Sequence, residues 1–312
     1  MSKGSHRDRE AALLQGLVDY ETQFGPMPGI VDPDARATLV QQMVSSLRRI
    51  EFVRGFRARP QMSPARVDPQ HSLFDPLKGA FYLEQRGARD EAVWLAFIGT
   101  HFGKHAIDAW KLASNVMGSF GNGPIWTADR YNRYQADFDA MLIAHQDDLR
   151  SPAISGRFSN HRQYQSKAAD VIARVFASFH AWQFEHGGID ARVRAINSQK
   201  GQEPTGVFRE LYRSMQSVYG FGRLGKFDFL TMIGKLDLAP IEADSVHFSG
   251  ATGPLAGGRL LIHGDRKAKF TAKSVEAKVD ALDAYLGVGK QALEDSLCNW
   301  QKNPTVYEYF SG

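Results

Sequence analysis

Apolar residues recur at three- and four-residue intervals along most of this chain. Between residues 36 and 54, Val40, Met43, Val44, Leu47 and Ile50 form one stripe of a helix. Between 164 and 184 the pattern repeats with Ala168, Val171, Ile172, Val175, Phe176, Phe179 and Trp182. The same period predicts helices over about 8–23, 88–99, 103–118, 128–148, 205–217, 226–237, 272–286 and 289–300. Strand alternation is scarce; its best stretch, Arg259 to His263, is too short to carry a sheet. The pattern predicts an all-α fold.

Glycine and proline interrupt the periodicity at 25–33, 59–76, 118–126, 150–160, 187–206 and 248–258. Four prolines (Pro60, Pro64, Pro69 and Pro76) predict an ordered irregular loop over 59–76. The softest boundary is Gly187-Gly188 with the polar run Asn197 to Glu203. It predicts an N-terminal helical region, 1–190, and a C-terminal one, 191–312, flanking a shared cleft. No internal repeat is visible.

With 312 residues there is room for one large domain or two ordinary ones. The single cysteine, Cys298, excludes an intrachain disulfide framework, a cysteine-built zinc site and a four-cysteine cluster. Met1 to Glu10 lack the apolar run of a signal peptide, and the apolar stretch Ala92 to Gly99 is too short to span a bilayer. A soluble, cytoplasmic protein with no membrane partner is expected.

Net charge is +4 and the distribution says more than the sum. Arg48, Arg49, Arg54, Arg57, Arg59 and Arg66 face one acid, Glu51. Arg259, Arg266, Lys267, Lys269, Lys273 and Lys278 face Asp265 and Glu276. A third stretch, from Arg157 through Arg162 to Lys167, has no acid. Interleaved with Phe52, Phe56 and Phe158, such segments suit phosphate contact and base stacking, although each alone also fits a solvated helix face. Together they favour double-stranded DNA as the partner, and no obligate protein partner is evident.

Gly220-Phe-Gly-Arg-Leu-Gly225 fits the spacing of a dinucleotide-binding loop, but a helical pattern, not a strand, precedes it. A helix–hairpin–helix over about 211–237 suits the residues better. Gly220, Gly222 and Gly225 let the backbone approach a phosphate, with Arg223 and Lys226 beside them. An ordinary helical turn is the plainer possibility. His101 and His105 would share a helix face as metal ligands can, but Lys104 stands between them and no acid completes a site. Packing or phosphate contact is favoured there, and no metal is expected. Gly250 to Arg259 reads as a glycine-rich loop ending in a cation, suited to a phosphate or to lining a base pocket, but without the Gly-Lys-Ser/Thr of a Walker loop. Gly287-Val-Gly-Lys290 reads as a helix–helix turn. Asn299, Trp300 and Lys302 suit hydrogen bonding and stacking to an extruded base, and a buried structural Trp fits Trp300 equally well.

The hairpin with carboxylates beyond it resembles the helix–hairpin–helix DNA glycosylase superfamily. In that superfamily an aspartate about twenty residues past the hairpin faces the target sugar. The resemblance points to Glu242 and Asp244, and Asp244-Ser-Val-His247 is similar to the family's Asp-x-His tail with one more residue between the two. Leu224 occupies the position of the Schiff-base lysine, so no lyase step is implied; Lys226 fills a slot that is usually small and apolar.

A closer resemblance covers nearly the whole chain. It is carried by His101 to His105, Arg157 to Tyr164 with Asn160 and His161, Phe221 to Leu230, Gly250 to Pro254, and Leu293 to Lys302. These strings are similar to those of the α-glutamyl/putrescinyl thymine pyrophosphorylases, clade 3. The resemblance implies a helical, glycosylase-like protein acting on hypermodified bases in phage DNA.

Such an enzyme needs a hairpin on the backbone, cations on flanking phosphates, an aromatic wall and a carboxylate near the anomeric carbon. Candidate catalytic residues are Asp244 and Glu242. The candidate base pocket is Asn160, His161, Asn299, Trp300 and Lys302. Backbone contacts are expected from Gly220, Gly222, Arg223, Gly225, Lys226, Arg157, Arg162, Lys104, His105 and Arg259. No cofactor is required. The expected activity is a monofunctional DNA glycosylase excising a hypermodified pyrimidine, such as a glucosylated hydroxymethyl base, in antiviral defence. The rivals are a transferase attaching an amine to an activated hydroxymethyl-pyrimidine and a non-catalytic DNA-binding module.

Overall fold

The computed structural model describes residues 3–58, 62–200 and 203–309, so Arg59 and Pro60 lie outside the described residues. Sixteen α-helices and six short 3-10 turns make up the regular structure, and no strand occurs among the described residues. The segment with the best strand alternation ends the helix Gly253–His263.

Two compact units form. The first combines residues 1–55 with 243–312; the second is 56–242. The boundary expected at 190/191 falls on the first turn of the helix Ile189–Lys200, inside the second unit. That helix reads as a break because its short apolar face, Ile189, Val193 and Ile196, lies between Gly187-Gly188 and the polar run from Asn197; Ile189 and Val193 are buried and Ile196 is half-buried. Arg192, 4% exposed, supplements that face: its guanidinium donates to the Trp182 carbonyl and to Glu185 and lies 4.8 Å from the Trp182 ring centre.

In the first unit, the Asp32 carboxylate caps the helix Pro33–Arg54 by accepting from the Asp34 N–H at 2.8 Å. Leu39, Val40, Met43, Val44 and Ile50 form the buried stripe, and this helix packs on Lys290–Trp300. The expected glycine-rich loop is a helix from Gly253 onward, started by Pro254 in its first turn. Its glycines serve packing. A Cβ at Gly257 would fall inside the van der Waals surface of the Leu297 carbonyl, and one at Gly258 would meet Phe248 and Val275. Gly287 takes the left-handed conformation that ends Ala272–Leu286, and the Asp283 carboxylate accepts from the Val288 and Gly289 N–H groups, which makes 287–290 the helix–helix turn expected.

In the second unit, the helix Arg89–Phe102 is buried on every side from Ala92 onward, so it forms the centre of the core. Phe97 stacks on Phe179 of Ala169–Phe184, with ring centres 3.8 Å apart. Two predicted helices are shorter than their periodicity. The 103–118 pattern is helical only at Lys111–Met117, because Gly103 (φ +65°) ends the preceding helix and a tight turn follows. The 128–148 pattern divides into Ala128–Arg133, Gln135–Ala144 and Gln146–Arg150. His101 and His105 therefore do not share a helix face.

Candidate nucleic-acid interface and carboxylate site

The helix Pro204–Ser214, a 3-10 turn at Met215–Ser217 and the helix Arg223–Lys235 form a hairpin in the second unit. Phe208, Leu211 and Met215 are buried on its first arm, and Phe227, Leu230 and Ile233 on its second. The turn closes through Val218 N–H to the Met215 carbonyl (3.1 Å) and Phe221 N–H to the Val218 carbonyl (3.2 Å). Gly220 sits at φ +72°, a conformation that disfavours a side chain. Gly222 precedes the second helix without a capping side chain, and its carbonyl accepts the Lys226 N–H at 3.1 Å. A helix N-terminus preceded by glycine, with no side-chain cap, is a geometry suited to approach by an anion.

Tyr219, Gly220 and Gly222 are exposed at the tip, while Phe221 is buried and its ring lies against Gly225. Three contacts hold the tip. Gln165 Nε2 donates to the Gly220 carbonyl (3.0 Å), the Tyr219 N–H donates to Ser178 Oγ (2.8 Å), and the Arg174 guanidinium lies 3.9 Å from the Tyr219 ring centre. Arg223 lies 4.8 Å from the Phe227 ring centre. Lys226, expected on a phosphate, is only 9% exposed with its ammonium 4.2 Å over the Tyr212 ring, and burial lowers its pKa. It is a packing residue.

Arg162 was also expected on the DNA backbone, but it is 4% exposed and its guanidinium is engaged internally. Nε donates to the Thr100 carbonyl (2.8 Å), Nη1 to Tyr164 Oη (3.2 Å) and Nη2 to Asp228 Oδ2 (2.6 Å). It ties the 157–164 segment to the second helix of the hairpin. Asp228 and Tyr164 remain open to solvent, at 38% and 59%. Sequence reasoning singled out neither. The only signal was that Asp228 is the one acid in two otherwise cationic strings, and its pairing with Arg162 is a tertiary fact. Asn160 and His161 are exposed on the 3-10 turn that Arg162 completes.

Behind this group lies His101, 2% exposed, with Phe97, Phe102, Phe158, Phe176 and Phe221 around it. Neither ring nitrogen has a hydrogen-bond partner among the described residues. Burial, reinforced by the Arg162 charge, lowers its pKa to about 3.

In the first unit, Asp244 Oδ1 and His247 Nε2 are 2.8 Å apart, with side chains 8% and 17% exposed. His247 has φ +49°, unusual for a residue with a Cβ. The segment is fixed by carboxylates: Val246 N–H donates to Asp280 (3.1 Å) and Phe248 N–H to Glu276 (2.5 Å). Burial pushes the Asp280 pKa up. Glu242, the last residue of the second unit, is exposed. No group of three or more His, Cys, Asp or Glu residues suited to a metal occurs among the described residues.

The remaining expectations divide. Trp300 is fully buried and donates to the Ala35 (3.0 Å) and Pro304 (3.1 Å) carbonyls, so it is core and not a base platform. Asn299, 8% exposed, donates to Asp295 (3.0 Å) and accepts from Lys302 (3.0 Å). Phe56 and Phe158 are buried, and only Phe52 of the expected stacking residues is exposed, at 53%. Arg259 donates to the Phe270 carbonyl (2.8 Å). Arg157 forms two bonds to Asp108 (3.0 and 3.2 Å) yet keeps half its side chain in solvent. Lys104 is exposed, and His105 Nδ1 accepts from the Ile107 and Asp108 N–H groups.

These features define an all-α protein with a glycine-tipped helical hairpin in one unit and a histidine-held carboxylate in the other. Residues 34–312 match the family model described as alpha-glutamyl/putrescinyl thymine pyrophosphorylase clade 3, and the chain belongs to that family. The family name denotes an enzyme of modified-thymine metabolism. No curated protein and no solved structure matches the chain. Among the described residues, no helix is long and apolar enough to cross a membrane.

Proposed function

We propose that the protein is a monofunctional DNA N-glycosylase that excises a hypermodified pyrimidine from double-stranded DNA and leaves an abasic site. A glucosylated hydroxymethyl-pyrimidine in phage DNA is the target class, and antiviral defence is the role. The observation that carries this reading is the exposed hairpin tip. Gly220 and Gly222 bring a helix N-terminus to the solvent-exposed tip, which Gln165 and Ser178 pin so that little ordering is needed on binding a phosphate.

Asp244 is the carboxylate we assign to the sugar. Hydrolysis breaks the bond between C1′ and the base nitrogen, whose electron pair leaves with the base, while water oxygen bonds to C1′ and its proton balances the departing base. The intervening charge is oxocarbenium-like, and a carboxylate held by His247 stabilises it. Among the described residues Glu242 has no comparable holding contact, and it is the secondary candidate. Leu224 provides no amine, which excludes a Schiff base at that position.

The family name also supports a second reading, transfer of an amine to an activated hydroxymethyl-pyrimidine. The two are separated by incubating the full chain, without added amine, with unmodified DNA and with phage DNA carrying hypermodified pyrimidines. Base release seen by mass spectrometry on modified DNA alone is the expected result. Asp244→Asn is expected to lower that release by about 10²-fold or more with DNA binding retained. Intact glycosidic bonds in every DNA overturn the glycosylase, and a mass gain that requires an amine establishes the transferase. Unchanged biological effect in both Asp244→Asn and Glu242→Gln leaves a binding module.

A further inference from the structure

The tight turn between His105 and Ala109 presents an apolar side chain outward. Ile107 is 82% exposed, more than any other large apolar residue described. A single exposed aliphatic residue is ordinary. What is not ordinary is how firmly this one is held. His105 and Ala109 exchange both backbone hydrogen bonds at 2.9 Å, and His105 Nδ1 accepts from the Ile107 (3.3 Å) and Asp108 (3.0 Å) N–H groups. Ala109 takes φ +50°, the adjoining Trp110 is buried, and Asp108 is clamped by both bonds from Arg157.

The surroundings are cationic. Lys104 and Lys111 flank the turn in sequence, Arg157 binds it directly, and the Arg157 and Asp108 charges both act on Lys167. Asp108 is the one acid in the segment 103–111, and its carboxylate is engaged by Arg157. Lys111 Nζ donates to the Ala153 carbonyl, next to Ile154, which is 51% exposed.

We propose that Ile107 is a wedge that enters the base stack of duplex DNA while Lys104, Lys111 and Arg157 meet the phosphates around it. The inference rests on the DNA-directed reading above and assigns the strand-opening residue to it. An aliphatic side chain on a rigid turn fits the gap of one unstacked base step, and insertion offsets the loss of stacking that base extrusion requires. Charge selects the partner class: cations around an apolar point suit a polyanion. An anionic lipid surface has the same sign, but the exposed apolar area here, Ile107 with Ile154, is small for membrane anchoring.

The test uses the full chain with a duplex containing 2-aminopurine, whose fluorescence rises on unstacking, and with phosphatidylserine vesicles as the competing surface. At saturation the wild type is expected to raise the signal several-fold, with Ile107→Ala losing most of that rise and Ile107→Leu retaining it. Melting temperatures of both variants are expected to match the wild type, since the residue is solvent-exposed. Lys104→Ala is expected to weaken DNA binding and reduce its salt dependence without abolishing the signal at saturation. No rise with wild type, an undiminished rise with Ile107→Ala, or Ile107-dependent vesicle binding without a DNA response would each overturn the wedge. Base release from modified DNA at the wild-type rate by Ile107→Ala refutes the wedge and leaves the glycosylase standing. An Ile107-dependent signal from a wild type that releases no base does the reverse.

Discussion

The histidine behind the hairpin sets a pH dependence that can be calculated before it is measured. His101 is neutral when folded, because burial among phenylalanines and the Arg162 charge hold its pKa to about 3. An unfolded histidine titrates near 6.5. Between those values the unfolded chain binds a proton that the folded chain does not, so the unfolded state gains stability as pH falls. Each pH unit below about 6.5 costs on the order of 1 kcal/mol, and a drop to pH 4.5 costs roughly 3 kcal/mol from this residue. The penalty levels off near pH 3, where the folded state binds the proton as well. For a domain of 150–250 residues, this corresponds to roughly 5–11 °C in melting temperature. The control is His101→Leu. Neither imidazole nitrogen has a hydrogen-bond partner among the described residues, so the substitution strands no bonded group. Its absolute stability reflects lost stacking; its pH slope does not. Melting followed by circular dichroism at pH 7.0, 6.0, 5.0 and 4.5 is expected to show the wild type falling faster than His101→Leu by that margin. Parallel curves would mean that His101 gains its proton without penalty, and would refute the assignment of a sealed, uncharged imidazole.

Two further predictions concern stability. Gly257→Ala places a methyl group against the Leu297 carbonyl, so the helices must separate; a loss of about 1–3 kcal/mol is expected by denaturant titration, and an unchanged midpoint would refute the close crossing. Arg162→Met keeps an unbranched apolar stem but leaves the Thr100 carbonyl without its side-chain donor and Asp228 without its cation. Because Asp228 is partly solvated, the expected loss is about 2–4 kcal/mol and not the full penalty of a sealed ion pair. Asp228→Asn in the same background should add little to that loss, and full additivity in the double-mutant cycle would show that the pair is not coupled.

Periodicity made the helices legible wherever the apolar stripe was wide. The stripe Val40, Met43, Val44, Leu47 and Ile50 and the one from Ile172 to Trp182 correspond to the helices Pro33–Arg54 and Ala169–Phe184. Ile189–Lys200 was not legible because its short stripe, Ile189, Val193 and Ile196, is enclosed by Gly187-Gly188 and the polar run from Asn197, and its buried arginine does not count as an apolar position. The chain's division was illegible for a different reason. Its first unit joins residues from both ends, and no local rule reports which distant segments fold together. Trp300 is more instructive, since Leu293, Leu297 and Trp300 share one face at four- and three-residue spacing and all three are buried. The sequence therefore contained its placement, but the polar neighbours Asn299 and Lys302 drew attention to chemistry instead.

Glycine shows most clearly what separates a site from a core in this protein. In the sequence Gly220-Phe-Gly222 and Gly257-Gly258 both suit close approach to the backbone, by a phosphate at the first and by a phosphate or a base at the second; in the structure a Cβ at Gly222 would meet nothing within 4 Å. The first pair stands before a helix start, exposed to solvent and with no capping side chain. The second lies inside a helix whose N–H groups are already bonded, with Leu297, Phe248 and Val275 against it. The distinguishing information was local: Pro254 at a helix start predicts that the following glycines are helical, whereas Gly222 stands before a helix start. A glycine inside a helix approaches its neighbours side-on, through the missing Cβ. A glycine before one approaches a ligand end-on, along the direction of the first-turn donors. That difference in direction makes 220–222 the candidate anion site and 257–258 a helix crossing.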